Sequence, residues 1–152
     1  DFNQGRAVVF KLDQYAVIDK NGKIILPFDK WGVIYSYNDG MALVQANAGY
    51  EGQYGYVGLD GATVINNKAG FNDGEQFSEG LAAVAGHIRS KDIITRSYID
   101  KKAKIIFPKR EKINDKSEYD DEIFYLEQFS EGLAAVVNEQ GKLGFIKNPL
   151  FN

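Results

Sequence analysis

FSEGLAAV occupies residues 77–84 and recurs unchanged at residues 129–136. Worn copies read FNQGRAVV at 2–9 and YNDGMALV at 37–44. A unit that recurs every few tens of residues marks a repeat array, in which each copy is one supersecondary unit stacked on its neighbours. Around the anchoring glycines Gly5, Gly40, Gly80 and Gly132 each unit has the same order. An apolar strand opens it, as in AVVFKL, MALVQA, LAAVA and LAAVV. A second strand follows at YAVID (15–19), YGYVG (54–58), RSYID (96–100) and LGFIK (143–147). A third comes after a tight turn, at KIILP (23–27), ATVIN (62–66) and KIIFP (104–108).

The turn between the second and third strands contains Asn21-Gly22 in the first unit and Asp60-Gly61 in the second. Asn-Gly accepts positive φ at both central positions, so a two-residue hairpin is expected there. The third unit has Lys102-Ala103 instead and must rely on packing. Pro27 and Pro108 close third strands, where a missing N–H does no harm. No stretch sustains helical apolar spacing; the nearest, EIFYLEQF at 122–129, is expected to form at most a short helical turn. The expected fold is all-β. About four three-stranded antiparallel meanders form an elongated or curved array, with propeller-like closure as the alternative. The repeats run approximately over 2–36, 37–76, 77–128 and 129–152, the last lacking its third strand. An open edge of that kind pairs with a partner, so edge-to-edge association or further repeats are expected.

The order F-S-E-G-L-A-A-V, then aromatic-Gly-aromatic-Ile/Val-Asp, then G-K-I-I-x-P resembles the bacterial WG-repeat (KWG) family over nearly the whole chain. The signature Trp-Gly falls at Tyr15-Ala16, Tyr54-Gly55, Arg96-Ser97 and Leu143-Gly144, so no unit keeps its Trp. The literal Trp31-Gly32 lies out of register. The resemblance implies a β-repeat binding or scaffolding module and does not imply an enzyme.

Composition narrows the chemistry. The 152 residues carry no cysteine and one histidine, which excludes disulfides, zinc-thiolate sites and cysteine nucleophiles. A net charge of -3 gives no general pull toward nucleic acid. No apolar run is long enough to span a bilayer as a helix. The chain starts at Asp1 and reads as a processed or cut product, with an extracytoplasmic or cell-envelope setting expected over a cytoplasmic one.

Most chemically suggestive residues have a structural reading. Ser78-Glu79 and Ser130-Glu131 become Asn38-Asp39 and Asn3-Gln4 in the worn copies, all residues suited to turns. Gly22 and Gly61 join the four anchor glycines as turn residues. His87 lies in what reads as a solvated loop, 86–96. Asp115, Glu118, Asp120, Asp121 and Glu122 lack calcium-loop spacing. Lys109, Arg110 and Lys112, with Lys101, Lys102 and Lys104 nearby, are interrupted by acids. No cofactor or metal is expected.

What remains is where the repeat is broken: loops 46–53, 86–96 and 109–118. Insertions at equivalent positions often mark a binding face. Tyr50, Tyr54, His87 and Arg89 are therefore the candidate ligand contacts, with packing between repeats the preferred reading of Tyr54. The expected partner is a protein or cell-surface ligand. Glycan binding through loop aromatics is one alternative; a carboxylate-dependent hydrolase is another.

Overall fold

Each copy of the octapeptide is the tip and returning strand of a β-hairpin. The computed structural model describes residues 1–46, 54–66, 71–88, 93–106, 123–138 and 140–151, with backbone only at 87–88, 93–95 and 123–124. The first sheet holds β1 (Arg6–Lys11), β2 (Gln14–Asp19) and β3 (Ile24–Leu26). The second holds β4 (Val33–Asn38), β5 (Met41–Gln45), β6 (Tyr54–Gly58) and β7 (Thr63–Ile65). The third holds β8 (Asp73–Gly74), β9 (Leu81–Ile88) and β10 (Ile93–Asp100); the fourth holds β11 (Ile123–Leu126), β12 (Leu133–Asn138) and β13 (Leu143–Lys147). Every pairing is antiparallel between neighbours in sequence order.

The all-β meander architecture is as the repeat predicts, with an additional leading strand in the second, third and fourth sheets. A leading strand (β4, β8 or β11) pairs ahead of the apolar strand, so the second sheet has four strands. The hydrogen-bonded unit therefore begins just before the aromatic of the repeat. Of the strand expected at 104–108 in the third unit, residues 104–106 are described, and they hold a bridge between Ile99 and Ile105.

Three local expectations are corrected. Residues 123–126 form β11, not a helical turn. Their aromatic and branched run suits a strand, and they pair with β12 across a bulge. At Asn21-Gly22 only Gly22 has positive φ, and Asp19 accepts the amides of Asn21 and Lys23 at 2.8 and 2.9 Å. That is a turn with a single left-handed residue rather than a two-residue loop. The stretch 86–96 is largely strand: His87 pairs with Ile94 within β9 and β10, which leaves 89–92 as the connection.

Two-residue hairpin loops lie at the octapeptide tips instead, and at Leu12-Asp13 between β1 and β2. Gln4-Gly5, Asp39-Gly40, Glu79-Gly80 and Glu131-Gly132 all have both residues at positive φ. The flanking residues pair across the tip, as in Asn38 with Met41 and Ser78 with Leu81.

Alternation along the apolar strands then builds the core. Ala82 and Val84 join Met41, Leu43, Tyr56, Ile65, Phe77 and Ile99 between the second and third sheets. Their neighbours Leu81 and Ala83 join Tyr98, Phe129 and Ala134 between the third and fourth. Val17 and Leu26 meet Ile34, Tyr37, Ala42, Val44 and Val57 between the first and second. In β9 LAAV is apolar throughout because its two faces are buried against different neighbours. The sheets therefore stack as blades, each completing the core of the one before it.

Candidate binding cleft and the hairpin tips

The octapeptide's polar residues work between blades. Gln4 Oε1 accepts the Gly40 N–H at 2.7 Å, Asp39 Oδ2 that of Gly80 at 2.5 Å, and Glu79 Oε2 that of Gly132 at 2.9 Å. Each tip thus reaches the tip of the next blade. A left-handed non-glycine residue costs about 1–2 kcal/mol, which a charge-assisted hydrogen bond of about 1.5–3 kcal/mol offsets. Asn3 donates to the Tyr37 carbonyl at 2.5 Å, and Ser78 Oγ to that of Phe129 at 2.6 Å. Lys101 adds an ion pair to Asp39 at 2.8 Å, one blade back.

Aromatic residues repeat the same handover deeper in. Tyr56 packs edge-on against Phe77, and Tyr98 packs tilted at 52° against Phe129, both with ring centroids 4.8 Å apart. The Tyr56 hydroxyl donates to the Glu75 carbonyl at 2.7 Å and the Tyr98 hydroxyl to that of Glu127 at 2.5 Å. Burial pushes both phenols well above the usual tyrosine range, with Glu75 and Asp73 adding to the effect at Tyr56 and Glu127 at Tyr98. Burial likewise raises Tyr37, whose hydroxyl donates to Gly58.

Asn148, only 1% exposed, fastens the end of β13. Its side chain donates to the Glu79 carbonyl at 2.9 Å and its own N–H to that of Gly132 at 2.8 Å. Sequence reasoning passed over this residue, because its partners lie far away in the chain.

Between the third and fourth sheets lies a cleft of about 140 Å³. Asp73, Glu75, Arg96, Tyr125 and Leu126 line it, over the alanine floor of β9. Tyr125 is 51% exposed. Gln128 approaches Glu75 at a long 3.5 Å. Arg96 was visible in sequence as the occupant of a Trp position, and Asp73 carried no signal of its own. Nothing local joined them to Tyr125.

Of the sequence-based candidates, Tyr54 is half-buried against the core between the second and third sheets. Burial raises its phenol, followed by the influence of Asp73, Tyr35 and Glu75. The backbone of His87 lies in β9. Tyr50, Arg89, the loop 109–118, the cluster from Asp115 to Glu122 and the basic run Lys109, Arg110 and Lys112 lie outside the described residues. Trp31, out of register in sequence, packs on the core between the first two sheets, close to Gly55. Among the described residues no group of three His, Cys, Asp or Glu is placed to hold a metal. Among them, too, no helix is long and apolar enough to cross a membrane.

Comparison with known proteins agrees with this geometry. Residues 15–50 match the family described as WG containing repeat. The match opens at Tyr15, where the repeat register puts the Trp. No curated protein matches the chain. Among solved structures it is similar to Kluyveromyces lactis Hsv2, at 16% identity and a TM-score of 0.54, covering 100% of this chain and 47% of that one. Hsv2 of Kluyveromyces marxianus gives 14% identity and a TM-score of 0.55, covering 100% and 46%. Both have a β-propeller-like fold, and the chain spans about half their length. The repeat units here are therefore arranged like a run of propeller blades, which favours the curved array over the elongated one.

Proposed function

We propose that this run of WG-type blades is a non-catalytic binding and scaffolding module that grips a protein segment in the cleft between the third and fourth sheets. The carrying observation is the size and lining of that cleft. At about 140 Å³ it admits one side chain, against roughly 300–1,000 Å³ for the pockets that enclose small-molecule ligands. Asp73 and Glu75 supply carboxylate acceptors, and the half-exposed Tyr125 supplies a ring face. A lysine or arginine on an extended partner fits both. Ser78, Asp39 and Glu79, which sequence alone left open to a chemical reading, are engaged at the blade junctions, which supports a module without chemistry.

Fluorescence anisotropy with labelled peptides, each presenting one lysine, arginine, glutamine or glutamate in a neutral background, tests the proposal. Basic peptides bind preferentially, and Glu75→Gln or Tyr125→Ala weakens them about tenfold. Equal binding of acidic and basic peptides, or variants that bind as the parent does, refutes it.

A further inference from the structure

At all three blade junctions a tip side chain accepts the N–H of the next tip glycine, and the two outer faces of the array carry the unmatched halves of that contact. We propose that a second copy of this chain docks head to tail, its first blade on the fourth blade of its partner. Asp39 defines what a tip acid meets in the following blade: the Gly80 N–H and the Lys101 ammonium. In the fourth blade the equivalent acid is Glu131, which is exposed. No hydrogen bond or ion pair engages its carboxylate among the described residues. In the first blade the residues equivalent to Gly80 and Lys101 are Gly5 and Lys20. Lys20 is exposed, and its side chain already runs beside Gly5, with Cε 3.8 Å from where a methyl group on that glycine would stand. Donor and ammonium wait together at one end of the array, and the acid waits at the other.

The apolar halves match as well. Tyr56 and Tyr98 cover the octapeptide aromatic of the next blade, Phe77 and Phe129. The same position in β13 is Phe145, 67% exposed, and the first octapeptide aromatic is Phe2, 52% exposed. Phe145 has no hydroxyl, so it needs none of the carbonyl acceptors that serve the two tyrosines. Ser130, exposed at the fourth tip, corresponds to Ser78 and would donate to the Phe2 carbonyl. A head-to-tail contact of unlike faces closes a ring or propagates, depending on its rotation.

Sedimentation and light scattering of the 152-residue chain across a concentration series test this. The parent chain dimerises. Glu131→Lys and Phe2→Asp each weaken association at least tenfold, and the exchange Glu131→Lys with Lys20→Glu restores it. Mixing the Glu131→Lys and Phe2→Asp chains also restores a one-to-one pair, because each keeps one intact face. Circular dichroism of every variant shows the parent's β signal. A parent chain that stays monomeric overturns the proposal. So does association indifferent to these substitutions, or failure of both the charge exchange and the mixture.

Discussion

Two glycines with nearly the same backbone angle have very different surroundings. Gly22 and Gly61 both sit in the turn before a third strand, at φ of 79° and 78°. A methyl group on Gly22 meets nothing within 4 Å, whereas on Gly61 it stands 2.6 Å from the Ile25 carbonyl oxygen of the preceding blade. Gly22→Ala therefore costs only the left-handed penalty, about 1 kcal/mol, and Gly61→Ala about 2–4 kcal/mol in urea denaturation. Ala103 takes the same conformation at φ 62° in the third blade, held by the Asp100 carboxylate on the amides of Lys102 and Lys104. Ala103→Gly is accordingly neutral to stabilising by up to about 1 kcal/mol. Asn148→Ala leaves the Glu79 carbonyl without its donor and lowers stability by about 2 kcal/mol. The turn positions were legible in sequence because turn chemistry is local; their unequal tolerance was not, since Ile25 is far from Gly61 in the chain.

At the scale of strands, apolar periodicity revealed β1, β5, β9 and β12 at once. The leading strands escaped because they share no pattern: VIYSYN in β4, only Asp73-Gly74 in β8, IFYL in β11. Their constant feature is a backbone edge that pairs with the apolar strand; just beyond β8 and β11 a carbonyl, of Glu75 and Glu127, also receives a tyrosine. That acceptor has no sequence identity to detect. Its effect on pH dependence is measurable. Below the ordinary tyrosine range, near pH 10, folded and unfolded chains both keep the Tyr56 and Tyr98 protons. Above it the unfolded chain releases them first, so it binds fewer protons and stability falls as pH rises. Denaturation midpoints should thus drop above about pH 10. Tyr56→Phe with Tyr98→Phe should flatten that slope while lowering stability at neutral pH. An unchanged slope in the double variant would contradict the assignment.

Across the whole molecule, stability is a sum of blades and junctions, and the middle junction is where it divides. Phe77 lies fully buried between the second and third blades, so Phe77→Ala removes about 3–5 kcal/mol from that junction alone. Calorimetry should then resolve two transitions where the parent shows one; a single shifted transition would mean the array is not modular. The repeated octapeptide made the array itself readable. The blade junctions stayed hidden because their contacts join residues 36 to 53 positions apart. Those contacts have a consequence for how such a chain diverges. Each tip's side chain addresses a backbone amide, and every residue except proline offers one. The recipient is the tip glycine at every junction, and it is the accepting side chain that has been free to change. Gln4, Asp39 and Glu79 differ in length and charge, yet each reaches its target. A copied unit can enter such a chain and drift in sequence without losing its neighbours, and FNQG beside FSEG is the visible trace of that tolerance.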